Sequence, residues 1–227
     1  MSTAAQPTPL KGETTIVEPS RAEGAAARRA AEVRATIPDL ALSAEVDAEG
    51  LLAAAQDHAH GVSAALARAC ALALRAHPRA NAAYRDGRYE LYGRVNVAVA
   101  LPAPDGWQSP VLHDADRHSL DDLAREIERL AARARAGELT PPELAGATFT
   151  LTDLGRFAVT GGAPLLAGGQ AAALAAGAVQ PAPVVRDGAV TAGHRITLTL
   201  ACDARILPAP LAADFLGAIG AELTASP

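Results

Sequence analysis

The sequence is poor in large apolar groups and in reactive ones. Aromatic residues make up 3% of the 227 positions (three tyrosines, three phenylalanines and one tryptophan), and there is one methionine. Alanine is frequent and 50% of the residues are hydrophobic, so a sizeable core has to be built from small aliphatic side chains. Such a core lets elements approach closely but buries less apolar area per residue. Lysine is nearly missing: Lys11 is the only one, and the other basic residues are arginines. The formal net charge is -5, and the arginines interleave with acids, as in Arg125-Glu126-Ile127-Glu128-Arg129. That pattern describes a solvated helix face and gives no support for nucleic-acid binding.

Cysteine is scarce as well. There are two, Cys70 and Cys202, with no CxxC pair and no Cys/His cluster, which argues against a structural zinc site or any other metal site. Spacing alone leaves a disulfide open. The settings of both, Cys70 on an apolar helix stripe and Cys202 on an apolar strand face, read as buried free thiols. No stretch approaches about 20 uncharged apolar residues, the length of a membrane span. The N-terminus lacks the basic region and apolar run of a signal peptide. The expectation is a soluble, cytoplasmic protein with no membrane contact.

The length suits a single α/β domain. Residues 1–20, rich in Thr, Pro and Ala, read as a flexible N-terminal arm, and 21–227 as the domain. Residues 21–35 favour helix by propensity. Leu40, Leu42, Ala44 and Val46 alternate as a strand, and Asp47 is placed to cap a helix carrying Leu51 and Leu52. Ser63 is expected to open the next helix, with Leu66, Ala67, Cys70 and Leu74 on one face and Pro78 beyond its end. Asp86-Gly87 signals a turn between two extended segments. Val95, Val97 and Val99 alternate as a strand, Trp107 is expected in a loop, and Pro110 to Leu112 as a short strand. Ser119 starts the clearest helix: Leu120, Leu123, Ile127, Leu130 and Ala134 form one stripe, and Gly137 ends it. Thr148 to Thr152 reads as a strand. Gln170 to Val179 is Ala-rich and favours helix locally. Ile196, Leu198, Leu200 and Cys202 alternate as a half-buried strand, and a last helix carries Leu211, Phe215, Ile219 and Leu223. Mixed alternation of this kind implies an α/β fold around a mixed sheet.

Several blocks, taken in order, resemble the catalytic (acyltransferase, E2) domain of the 2-oxo acid dehydrogenase complexes. They are Ile37-Pro38 with Glu45-Val46-Asp47; Asn81, Tyr84 and Asp86-Gly87; Val95-Asn96-Val97-Ala98-Val99; and Pro110-Val111 with Asp114-Ala115-Asp116 and Ser119-Leu120. Ala134 to Leu139, Gly146 to Thr150 through Leu154-Gly155, Gln170-Ala171-Ala172 and the strand ending at Asp203 complete the series. The resemblance runs from about residue 20 to the C-terminus and rests on the number and order of the blocks. It implies a chloramphenicol acetyltransferase-like two-layer α/β sandwich, a homotrimer with sites between subunits, and the Gln170 segment in the sheet. It also implies acyl transfer between coenzyme A and a dihydrolipoyl thiol, with a histidine as general base and a Ser or Thr hydroxyl on the oxyanion. Thr152 matches that hydroxyl, and Asp153 stands where Asn is usual.

The family motif Asp-His-Arg, followed after two residues by Asp or Asn and then Gly, here reads Asp203-Ala204-Arg205-Ile206-Leu207-Pro208-Ala209. Asp203 and Arg205 are expected to shape the turn. Ala204 replaces the histidine and Pro208 the acid or amide. General-base catalysis is worth about 10²–10⁴-fold, and a methyl group cannot supply it. Of the other histidines, His113 is the first substitute to consider, since its loop is expected to border the substrate channel. His118 precedes a helix cap, His194 begins the last strand, and His58, His60 and His77 read as exposed helix-end residues. No lipoyl domain with its Asp-Lys-Ala turn is present, so the resemblance implies a lipoyl substrate carried by another protein and no covalently bound cofactor.

Three functions compete. The first is a non-catalytic or repurposed relative that trimerises alone or with an active acyltransferase or lipoyl-bearing partner. The second is an acyltransferase using a coenzyme A thioester with relocated residues, Thr152 and His113. The third is an apolar-metabolite pocket, for binding or for cyclisation or elimination, in a channel lined by Ala204, Leu207 and Pro208.

Overall fold

A computed structural model describes Gly12 and residues 14–104 and 106–225. The expected arm falls mostly outside these residues, and 14–20 carry no helix or strand. The elements in chain order are α1 (Arg21–Thr36), β1 (Asp39–Asp47), α2 (Glu49–Ala55), α3 (Gly61–Ala76), β2 (Ala82–Arg85), β3 (Arg88–Leu91), β4 (Val97–Val99), β5 (Leu101–Ala103) and β6 (Gly106–Gln108). They continue with β7 (Val111–Leu112), α4 (Leu120–Ala136), β8 (Phe149–Asp153), β9 (Ala172–Ala176), β10 (Gln180–Arg186), β11 (Ala189–Asp203) and α5 (Ala209–Thr224).

The main sheet runs β1-β11-β9-β8-β4-β7, with β10 paired to the early part of β11. β8 is parallel to both β4 and β9, and the other pairs are antiparallel, so the sheet is mixed. One face carries the main core: Phe149, Leu151, Leu174, Ile196, Leu198 and Leu200 pack with buried residues of α2, α3, α4 and α5. The other face has a small cluster of Leu166, Ala173 and Ala201, covered in part by Val33 of α1 and Ile37. The result is a helical layer on a sheet, the two-layer arrangement expected.

The helix at Ser119 forms as the pattern requires. Ser119 Oγ accepts the Asp122 N–H at 3.1 Å. The stripe Leu123, Ile127, Leu130 and Ala134 is buried. Gly137 closes the helix at φ 70, a left-handed conformation that only a residue without Cβ adopts freely. Asp86 and Gly87, at φ 48 and 77, make the β2–β3 hairpin turn.

Other expectations are corrected. Ser63 does not open α3: His60 is its N-cap, and Ser63 lies one turn in and is buried. Asp47 accepts the Glu49 N–H at 2.9 Å from the position before the N-cap Ala48. Trp107 belongs to β6 of a short hairpin rather than to a loop. The Ala-rich segment is strand β9, buried on both faces, so tertiary packing overrides its helical propensity. His58, His60 and His77 are half-buried: His58 pairs with Asp121 at 3.1 Å, and the ring of His77 lies 5.8 Å from that of Phe215. Both cysteines are free and buried, as expected. No helix among the described residues is long and apolar enough to cross a membrane.

Candidate active site

The motif turn follows directly from β11. Asp203 is its last residue and is 2% exposed. Its backbone N–H donates to Ala171 O at 2.8 Å, and its carbonyl accepts the N–H groups of Ile206 and Leu207, each at 2.9 Å. The Asp203 carboxylate accepts the Arg205 backbone N–H at 3.0 Å and two guanidinium bonds, Nε to Oδ1 at 2.9 Å and Nη2 to Oδ2 at 2.7 Å. This bidentate contact holds the Arg205 pKa above its ordinary value.

The β2–β3 hairpin braces the turn. The Arg205 guanidinium stacks 4.4 Å from the centre of the Tyr84 ring, and Tyr89 donates to Arg205 O at 3.0 Å. Arg79 donates to Ile206 O at 2.5 Å. Asp203 and Arg205 therefore have the shaping contacts expected of them.

Between these fixed points Ala204 is exposed, and its N–H donates to Pro38 O at 3.0 Å. Pro208 is exposed and is the N-cap of α5, where it offers no side-chain acceptor. Leu207 is a correction: it is 1% exposed and belongs to the main core, so it lines no opening. The residues after the turn point inward to anchor α5, and that inward geometry is invisible in the motif itself.

Thr152 lies on β8 with its side chain on the face away from the main core, between the buried Leu151 and Asp153. On the same rung, Ala175 of β9 pairs with both Thr152 and Thr199, and Thr199 pairs with Ser43 of β1. Ser43 and Thr199 share a hydrogen bond of 3.1 Å, and Thr150 on the same face donates to Gln170 at 2.8 Å. The Thr152 hydroxyl has no such partner among the described residues. Asp153 points the other way: its carboxylate accepts Ser63 Oγ at 2.6 Å and the Gly155 N–H at 3.0 Å. Sequence reasoning missed Ser63 as the group that ties α3 to the end of β8. Nothing marks it but a small polar residue on an otherwise apolar helix.

His113 is exposed and sits near Gly146, before β8 begins; a Cβ at Gly146 would lie 3.7 Å from its ring. Thr152 is at the opposite end of β8, so one chain does not bring the two together. His118 is exposed, and His194 pairs with Glu49 at 3.0 Å.

Two cavities open near the ends of the central strands. One, of about 330 Å³, is lined by His58, His60, Ser63, Asp153 and Arg156 among others. Burial, with Arg156 and Arg135 nearby, holds the His60 pKa below its ordinary value. The second, of about 490 Å³, includes Arg85, Tyr92, Arg94, Asn96 and Gly169. Among the described residues no group of three or more His, Cys, Asp and Glu side chains could hold a metal ion.

Comparison with known proteins places this geometry. The family model "2-oxoacid dehydrogenases acyltransferase (catalytic domain)" matches residues 11–226. The dihydrolipoyllysine-residue acetyltransferase component of the pyruvate dehydrogenase complex of Zymomonas mobilis is 32% identical over 201 residues, 85% of this chain and 46% of that protein. The first curated relatives are matched over 34%, 46% and 48% of their own length, so the chain spans less than half of each.

Among solved structures, the Azotobacter vinelandii dihydrolipoamide acetyltransferase (E2p) superposes with a TM-score of 0.88 at 26% identity, covering 98% of this chain and 97% of that one. A serine, a histidine and an asparagine of that enzyme have been investigated for their role in its catalytic mechanism. The cubic core of the pyruvate dehydrogenase multienzyme complex superposes equally well. A chloramphenicol acetyltransferase shares the fold at a TM-score of 0.55 and 14% identity, covering 87% of this chain and 94% of that one.

Proposed function

Because this chain belongs to the 2-oxoacid dehydrogenase acyltransferase (catalytic domain) family, we propose that it is a trimeric subunit of that family whose own acyl-transfer chemistry has been lost at Ala204 and Pro208. One interval carries the reading. In the Azotobacter vinelandii enzyme the investigated histidine and asparagine follow the serine by 52 and 56 positions. In this chain Ala204 and Pro208 follow Thr152 by the same 52 and 56 positions. The hydroxyl position keeps a hydroxyl. The histidine position holds a methyl group, and the asparagine position holds a proline whose ring offers neither donor nor acceptor.

The chemistry that would be missing is definite. In transfer from acetyl-coenzyme A to dihydrolipoamide, the attacking thiol gives up its proton as its sulfur bonds to the acetyl carbon. The carbon–sulfur bond to coenzyme A then breaks, and the departing thiolate takes a proton. A base within about 2.6–3.2 Å of the attacking thiol serves both proton movements, and no side chain beyond Cβ exists at 204. Asp203 and Arg205 keep the turn in shape without taking part in these steps.

Trimer formation is supported by exposed apolar surface. Trp107 and Phe157, both 50% exposed, meet edge to face at 5.3 Å, and Val185 and Val190 are 70% and 74% exposed on the β10–β11 hairpin. Such surface is what self-association covers.

The test is chromatographic. Purified protein is incubated with acetyl-coenzyme A and dihydrolipoamide, and S-acetyldihydrolipoamide and free coenzyme A are quantified, with sedimentation run in parallel. The reading expects a trimer and no rate above the enzyme-free control. Saturable turnover, or a monomer at micromolar concentration, contradicts it.

A further inference from the structure

The two halves of the implied site lie far apart within one chain. Thr152 shares its rung with Thr199 of β11, through Ala175. Asp203, the residue before Ala204, is four residues further along β11 and bonds Ala171, before the start of β9. Four residues of extended chain span about 13 Å, and the step from β8 across β9 to β11 adds two strand spacings of about 4.8 Å each. In a tetrahedral intermediate, the sulfur served by the base and the oxyanion held by the hydroxyl are bonded to one carbon. Base and hydroxyl each lie about 3 Å from their atoms, so together they fit within well under 13 Å. No residue at 204 can therefore serve the same intermediate as Thr152 of its own chain.

The two ends are also in different states of completeness. The Thr152 hydroxyl is half-buried, is held on a paired central strand, and has no hydrogen-bond partner among the described residues, while its neighbours Ser43, Thr150 and Thr199 are all engaged. The strand that positions it is fixed from behind by the Ser63–Asp153 bond. The 204 end keeps its scaffold, the Asp203–Arg205 pair and its Tyr84 and Tyr89 supports, but lacks the functional side chain.

We infer that this chain is a half-site donor: its Thr152 face completes an acyl-transfer site with the histidine of a homologous, histidine-bearing subunit in a mixed trimer. The inference rests on the trimeric, self-inactive reading above and adds the partner and the direction of complementation. In a cyclic assembly each interface is head to tail. A mixed interface with Thr152 on one side and a partner histidine on the other has both groups. The reverse interface, with this chain's Ala204 facing the partner's hydroxyl, has no base. The electron and proton movements are those of ordinary acetyl transfer between two thiols and need no further reactant.

The experiment uses three full-length proteins: wild type, the Ala204→His/Pro208→Asn variant, and a Thr152→Ala/Ala204→His/Pro208→Asn variant. Wild type and the triple variant carry different affinity tags, are co-expressed one to one, and are purified through both tags. Acetyl transfer is read as above, and native mass confirms mixed trimers. The double variant is expected to be active, and wild type and triple variant silent alone. Random mixing makes about one interface in four productive, so the co-expressed sample is expected to reach about a quarter of the double variant's rate per site.

A co-expressed sample that stays silent beside an active double variant overturns the inference. So does a silent double variant, since Thr152 then offers nothing to a histidine. A triple variant containing Thr152→Ser in place of Thr152→Ala checks folding and is expected to be active alone. Turnover by wild type alone is a different result: it contradicts the self-inactive reading and leaves the mixing ratio to decide the half-site question.

Discussion

Arg205 clasps Asp203 two residues before it, Nε to Oδ1 at 2.9 Å and Nη2 to Oδ2 at 2.7 Å, with the Asp203 side chain 3% exposed and the arginine 33%. The clasp sets the path of the chain on either side of Ala204. It also means that the turn does not depend on the side chain at 204.

Asp203→Ala removes the acceptor for three N–H groups and leaves the guanidinium facing a buried void. Breaking a buried pair from one side costs about 3–5 kcal/mol. Arg205 keeps a third of its side chain in solvent, so a loss of about 3 kcal/mol is expected. Arg205→Lys should recover part of it, because an ammonium cannot make both parallel bonds. Urea denaturation of the two variants beside wild type checks the order. Equal stability of all three would show that the clasp is not holding the turn.

The Ser63–Asp153 bond predicts a second loss. Ser63→Ala removes a donor at 2.6 Å from a carboxylate that is 4% exposed. A hydrogen bond to a charged group contributes about 1.5–3 kcal/mol, and a drop of that size is expected in chemical denaturation. The Asp153→Asn background should shrink the effect of Ser63→Ala, which a double-mutant cycle measures directly.

These two contacts were not equally legible in the sequence. The Asp203–Arg205 relationship could be anticipated because the motif sets both residues at fixed spacing. Ser63 and Asp153 are 90 positions apart, and no local pattern connects them. The same division runs through the fold. Helix α4 was legible from Ser119, the 3-4 stripe and Gly137, since all three signals are local. Strand β9 was not: its alanines favour helix, and only pairing on both sides with β8 and β11 makes it extended. Leu207 reads as part of a motif but is used as a core residue, because the turn directs it inward beneath α5. The distance between Thr152 and Ala204 was beyond sequence reasoning altogether, since it depends on strand register.

The acid limb of the stability curve should carry the mark of Glu143. The Thr140 backbone N–H and hydroxyl, then Arg129 and Arg133, hold its carboxyl down to about 2, against an ordinary value of 4.5. Between those values the folded state binds fewer protons than the unfolded one, so stability rises with pH through that window. The contribution is complete above about 4.5 and is lost as pH falls toward 2. Glu143→Gln should flatten thermal stability over that range and leave the difference between pH 6 and pH 8 unchanged. An unaltered acid limb in the variant would contradict the assignment.

The thiols should be inert in the native state. Burial pushes Cys70 well above the ordinary thiol range, and burial with Asp203 and Asp39 nearby pushes Cys202 up to about 11. An aromatic disulfide reagent at pH 8 is expected to find no reactive thiol in the folded protein and two after unfolding in guanidinium. Prompt reaction of a native thiol would mean that the strand end at Cys202 opens far more readily than its packing implies.

The central claim is that the Thr152 framework is intact and that Ala204 and Pro208 alone silence the chain. The most direct measurement is the acetyl-transfer rate from acetyl-coenzyme A to dihydrolipoamide for the Ala204→His/Pro208→Asn variant beside wild type. The account predicts no detectable turnover by wild type and a rate at least about 10²-fold higher in the variant, the lower end of what a general base contributes. A wild type that already turns over, or a variant as silent as its parent while still trimeric and folded, would contradict it.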